Sequence, residues 1–233
     1  MVPPATTRRS FLAAAAASST LPFVDLAALS PAQDVGFAVR KLKPLPYEEI
    51  PGLLSKAQLT PHHQAHYGGA LKSLVQIEAA LEAADRKAAN ANWSEYRELR
   101  REQLLTMNSV LLHELYFDNM APKPPEPDAA LRKAIADRFG SWDKWREDFT
   151  ACAMACRGWA ILAYDQADGR LYDVVSDAHD VGLIWSAVPL LVCDLYEHAY
   201  YVDYQNKKAP YVAAFLDHIA WDTVAARLVR ARG

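Results

Sequence analysis

Only three cysteines occur in the 233-residue chain, and none belongs to a Cys-x-x-Cys pair. That scarcity argues against a thiolate zinc site or an iron–sulfur cluster. Three is an odd number for a disulfide framework, and Cys152 and Cys156 lie one turn apart on an expected helix, poorly placed for an unstrained bridge. Buried free thiols are the expectation. Strong charge of either sign is also missing. The net charge of −3 gives no sign of a nucleic-acid binder. Internal repeats are absent, as is any apolar run long enough for stable membrane insertion. What is present, 52% hydrophobic and 23% charged residues, describes a folded chain able to bury a substantial core.

The N-terminus carries Thr7-Arg8-Arg9-Ser10-Phe11-Leu12 followed by Ala13 to Ala17, a twin-arginine pattern ahead of a mildly apolar stretch. Ser18, Ser19, Thr20 and Pro22 interrupt that stretch, so residues 1–32 read as a cleaved export signal rather than a span. The expected address is the periplasm. The twin-arginine route carries folded proteins, which suits a cofactor loaded before export.

From Leu59 to about Met120 the pattern is helical, with Leu71, Leu74, Val75, Ile77, Ala80 and Leu81 in an apolar stripe. Ala89-Asn90-Ala91-Asn92 interrupts it, and a second helix is expected from about Ser94 to Asp118. Two long helices with a short break make an antiparallel hairpin. Gly68 and Gly69 are unusual inside a helix, and close packing is their expected role. The run Pro122-Lys123-Pro124-Pro125-Glu126-Pro127 ends helical structure and marks a boundary. Helices are expected over Pro127 to Phe139 and Ser141 to Ala155. Strands follow at Trp159 to Tyr164, Leu171 to Val175 and Val188 to Asp194, with a return to helix from Pro210. The fold class is α+β: a helical hairpin domain over 33–121, then an α/β domain over 122–233 with a small three-stranded antiparallel sheet and flanking helices.

Against that layout, His62, His113, Asp194 and His198 supply three imidazoles and one carboxylate. Such a borderline-hard set suits a first-row metal ion such as iron or manganese. His62 and His66 share one helix face. His113 sits among Leu111, Leu112, Leu115 and Tyr116, where a lone histidine is more often a satisfied core residue than a ligand. Asp194 ends an apolar strand, where an unpaired carboxylate is costly, so a cap or a buried salt bridge is the competing reading.

Several segments together resemble the iron/manganese superoxide dismutase family. They are Leu45-Pro46-Tyr47, Gln58-Leu59-Thr60-Pro61-His62-His63, the stretch Asn108 to Pro122 and Arg157-Gly158-Trp159-Ala160. The most specific is Asp194 to Tyr204 with Gln205-Asn206-Lys207, similar to the family's Asp-x-Trp-Glu-His-Ala-Tyr-Tyr signature. The resemblance spans about Leu45 to Ala226. It implies dismutation of superoxide to dioxygen and hydrogen peroxide at one iron or manganese ion per subunit, held by His62, His113, Asp194 and His198. His179 falls where the family keeps a Gln or a His beside the metal-bound solvent. The resemblance also implies a homodimer in which Glu197 of one subunit meets His198 of the other, with His66 and Tyr201 as a companion pair.

The chain departs from the family pattern around the metal. The family's gateway Tyr corresponds to Ala70, two of its pocket tryptophans to Phe117 and Tyr196, and a third to Ile161, while Trp159 remains. These departures keep two alternatives open. One is a metal-binding paralogue with low dismutase activity and another redox role. The other is a metal-free binding module on the same fold.

Overall fold

The computed structural model describes residues 35–182 and 184–233, and the expected export signal lies outside them. The first helical stretch is one rod of three segments: α1 (Lys56–Pro61), a π-helical turn (His62–Tyr67) and α2 (Gly68–Ala83). Ser55 caps it by accepting from the Gln58 amide. Pro61 has no N–H to give its helix, and the hydrogen-bond ladder widens immediately after it into the π turn that carries His62. The second helix, α3 (Glu95–Asp118), starts at a Ser94 cap and completes the hairpin. The role expected for the two glycines is not observed. A methyl on Gly68 would meet His63 O at an ordinary 3.5 Å, and one on Gly69 would meet nothing within 4 Å.

Beyond the Pro-rich run come α4 (Ala129–Phe139) and α5 (Trp142–Ala155), capped by Asp128 and Ser141. The strands are β1 (Trp159–Asp165), β2 (Arg170–Ser176) and β3 (Ala187–Asp194), antiparallel in the order β2-β1-β3. Because β1 is central and covered on both faces, Trp159 to Ala163 are all buried, which explains an apolar run without alternation. Pro189 cannot donate to a ladder. It sits on edge strand β3 where the pairing shifts register between Leu162 and Ala163.

The C-terminal helix expected from Pro210 is two helices, α7 (Lys208–Leu216) and α8 (Trp221–Arg232), after a short α6 (Tyr201–Tyr204). Between α7 and α8 the backbone turns aside to pair with the end of α3. Ala121 N donates to His218 O, and Ala220 N donates to Asn119 O. Those tertiary hydrogen bonds replace the helical ones that periodicity implied. One hydrophobic cluster joins residues from both sides of the Pro-rich run, from Ile50 and Leu74 to Trp145, Val192 and Val224. Cys152, Cys156 and Cys193 are free thiols, and burial pushes Cys152 up to about 12 and Cys156 to about 11, leaving both inert. Among the described residues no helix is long and apolar enough to cross a membrane.

The α5–β2 contact carries a pH-sensitive group. Burial, followed by the neighbouring Asp148, pushes the Asp173 carboxyl up to about 8, although Trp145 Nε1 donates to its Oδ1. A folded-state value above the unfolded one of about 4 means the native state holds the proton longer. Stability from this group is therefore full below pH ~4, falls as pH rises to about 8, and is flat beyond. Asp173→Asn removes that decline, because an amide accepts from Trp145 and donates to Asp148 without titrating. The expected gain is on the order of 2 kcal/mol at pH 8.5 and little at pH 4, read from urea midpoints. Equal gains at both pH values would disprove this assignment.

Candidate metal centre

Each of the four candidate groups arrives on a different element. His62 comes on the π turn, His113 on α3, Asp194 at the end of β3, and His198 on a single 3-10 turn (Glu197–Ala199). For His113 and Asp194, local partners decide which atom faces inward. The His113 Nδ1–H donates to Ser109 O at 2.7 Å one turn back, so its Nε2 keeps a free lone pair. Asp194 Oδ1 accepts from Tyr196 N at 3.0 Å, a local turn that leaves Oδ2 to the centre. His198 is held by its backbone, since its carbonyl accepts from Gln58 Nε2 at 2.6 Å. Gln58 Oε1 in turn accepts from Val202 N, so the same side chain ties both the 3-10 turn and α6 to α1.

Ligand atoms of the four residues all lie within 4.8 Å of one another. Asp194 Oδ2 stands 3.1 Å from His62 Nε2, 3.3 Å from His198 Nε2 and 3.8 Å from His113 Nε2. None of those four atoms completes a hydrogen bond, although each is buried. Orphaned polar atoms at such depth are costly unless something shared satisfies them. Two donors bound about 2.1 Å from one ion sit roughly 3 to 4 Å apart, and the three N···O distances fall in that window.

Electrostatics point the same way. Burial lowers His62 and takes His113 down to about 3, so both rings are neutral and able to donate lone pairs. Burial alone would push Asp194 up, but the approach of His198 and His62 outweighs it and holds the carboxyl well below its usual range. One anion among neutral imidazoles is a cation site rather than a salt bridge. Asp194 caps the local turn through Oδ1 and still leaves Oδ2 buried among three imidazole nitrogens, and His113 leaves Nε2 without a partner, an arrangement that could hold a metal ion.

The surrounding wall is aromatic. Phe117 lies 5.0 Å from the His62 ring, Trp159 stands edge-on at 5.1 Å from His113, and Tyr196 stacks on His198 at 5.3 Å. The β1–β3 register sets Trp159 directly beside Asp194. Trp159 Nε1 donates to His179 Nδ1 at 3.0 Å, and burial lowers that ring toward neutrality. A neutral His179 then carries its proton on Nε2. Its ring is 6.3 Å from His113, at the rim of the centre rather than among the four converging groups. His66 stacks on His198 at 3.8 Å, and burial lowers it to about 4. Tyr201 is 48% exposed. Near the missing gateway, Ala70 is half-buried, and Tyr67 does not stand in for it. The Tyr67 hydroxyl is already engaged: it donates to Glu114 and accepts from Lys43 N.

Reading the sequence missed the groups that hold the ligands in place. Asn119, fully buried, donates through Nδ2 to Tyr116 O and Val192 O, and accepts at Oδ1 from Val192 N at 2.8 Å. It fastens the end of the His113 helix to the strand that ends in Asp194. Tyr211 donates to Asp194 O at 2.9 Å and shares a hydrogen bond with Tyr116. Only the unusual presence of an amide at an apolar helix end could have flagged Asn119.

Known proteins resemble this chain in the same terms. Residues 127–227 match the model of the iron/manganese superoxide dismutases, C-terminal domain. A superoxide dismutase [Fe] of Aquifex pyrophilus is 44% identical over 199 residues, covering 83% of this chain and 93% of the relative. A superoxide dismutase [Mn] 2 of Haloferax volcanii is 38% identical, covering 82% and 96%. A superoxide dismutase [Fe] of Cupriavidus metallidurans is also 38% identical, covering 82% and 97%. With more than four-fifths of its length aligned to such relatives at 38–44% identity, this protein belongs to the iron/manganese superoxide dismutase family.

Proposed function

We propose that the protein dismutes superoxide at one iron or manganese ion per subunit, held by His62, His113, Asp194 and His198. The convergence of four buried, unpartnered ligand atoms carries this reading. A bound iron or manganese ion supplies the one-electron couple that oxidises one superoxide to dioxygen and reduces a second, with two protons, to hydrogen peroxide. The chain's own residues do the rest. Ser109 and the Tyr196 amide fix the orientation of His113 and Asp194, so the donor set is preorganised. Phe117, Trp159 and Tyr196 keep bulk water from the centre. His179, its Nδ1 occupied by Trp159, holds a proton at Nε2 for delivery to the reduced oxygen species. The exposed Glu197 and Tyr201, with His66 against His198, are where a second copy would complete the support of each centre in a homodimer.

A second reading, a paralogue with weak dismutation, is favoured by one observation: nothing at Ala70 replaces the gateway hydroxyl, because Tyr67 is hydrogen-bonded elsewhere. Metal-loaded protein is expected to dismute superoxide well above the free ion, and Ala70→Tyr to raise that rate severalfold. If both proteins match free metal ion in a stopped-flow assay, dismutation is refuted. A rate that rises only with Ala70→Tyr supports the weak paralogue.

Export through the twin-arginine route, with a periplasmic destination, follows from Arg8-Arg9 and the short apolar stretch after them. Changing both arginines to lysine is expected to leave the protein in the cytoplasmic fraction. An unchanged periplasmic fraction would exclude this route.

A further inference from the structure

Behind the centre, between α3, the sheet and α8, lies a half-open cavity of about 460 Å³. Its walls are apolar: Leu111 and Leu115 of α3, Ile161 of β1, Val174 of β2 and Val188 of β3. The size suits a small organic ligand. Gln166, Arg227 and Arg230 also line it, and Gln166 Nε2 donates to Ala231 O.

Arg227 is only 5% exposed, and its Nη1 and Nη2 donate to the carbonyls of Leu190 and Leu115 at 2.8 and 3.1 Å. Carbonyls satisfy its donors but do not cancel its charge. Among the described residues no carboxylate forms an ion pair with Arg227 or Arg230. The carboxylate whose charge acts on Arg227, Asp118, is itself bound to Lys43, and a buried cation without an ion pair of its own is costly unless an anion joins it. On the α3 wall, Asn108 Nδ2 is buried with no partner, so the unpartnered polar group there is again a donor. An apolar slot lined by two arginines, with an unpaired donor at Asn108, selects an acceptor-only headgroup on a hydrocarbon tail.

We propose that this cavity binds a medium-chain fatty carboxylate, its acyl chain between α3 and the sheet and its carboxylate at Arg227 and Arg230. None of the four ligands lines the cavity, which approaches the centre at His179 and Ile161.

The test is calorimetric titration of the metal-loaded full-length protein with hexanoate, octanoate and decanoate. Saturable binding of one carboxylate per chain is expected, tightening about threefold to fourfold per methylene while the chain still fits. Decanol, which lacks the charge, is expected to bind at least about tenfold more weakly. Arg230→Glu, at the exposed mouth, should weaken decanoate by a similar factor and leave metal content unchanged. Val174→Phe, which fills the slot from β2, should abolish binding at unchanged helicity by circular dichroism. Non-saturable uptake, or decanoate binding equally well to Val174→Phe, would overturn the site. Equal affinity for decanol and decanoate would overturn the assignment of an anion.

Discussion

Asp194→Ala is expected to strip the protein of its metal: bound iron and manganese fall at least about 100-fold by elemental analysis, and dismutation falls to background. The reason is that Asp194 is the only anion of the four, and it meets the other three through a single oxygen. Its Oδ2 lies within 3.8 Å of three imidazole nitrogens while its Oδ1 is held by Tyr196 N. Losing a residue that merely orients a ligand costs about 10- to 100-fold in metal affinity, and removing the sole charged ligand costs more. Asp194→Asn is the control for folding. It keeps the volume and the Tyr196 contact but removes the charge, so it should fold like the parent and still be deficient in metal. Parent stoichiometry in either variant would sink the ligand assignment.

Asn119→Ala is the substitution expected to cost most in stability, about 3 to 5 kcal/mol in urea unfolding of the metal-free protein. No part of Asn119 is exposed, and its side chain serves Tyr116 O, Val192 O and Val192 N while approaching Arg227 at 3.4 Å. Alanine leaves the Val192 amide and carbonyl buried without partners, and each such group costs about 1 to 3 kcal/mol. The same side chain sets the distance between the helix of His113 and the strand of Asp194, so metal uptake should weaken as well. Asn119→Asp separates the two effects. It preserves acceptance from Val192 N and gains the adjacent Arg227 cation, but it cannot donate to the carbonyls. A loss below about 1 kcal/mol for Asn119→Ala would show that α3 and β3 are held together by apolar packing alone.

The legibility of this molecule in its sequence is uneven for reasons that can be traced to particular residues. Ser94, Asp128 and Ser141 announce helix starts because a cap acts within three residues of itself. The strands were legible because β-branched and aromatic runs bounded by turns have few other solutions. The single C-terminal helix was not, since His218 to Ala220 exchange helical hydrogen bonds for pairing with residues nearly one hundred positions earlier. Gly68 and Gly69 invited a packing explanation that only the neighbouring atoms could refuse. At the centre, ligand types and order could be read by resemblance. That His113 presents Nε2, or that Tyr67 turns its hydroxyl to Glu114, could not.

Composition, local pattern and motif resemblance by themselves determined the α+β class, the free thiols and the identity of four metal-capable side chains. Those properties depend on residue type and on contacts within a few positions along the chain. Convergence of the four groups, the clamp at Asn119 and the apolar cavity behind the centre, lined by Arg227 and Arg230, were decided by tertiary structure alone. Each requires groups distant in sequence to be brought to hydrogen-bonding or packing distance. Those distances are set by how helices and sheet pack, which no single segment specifies.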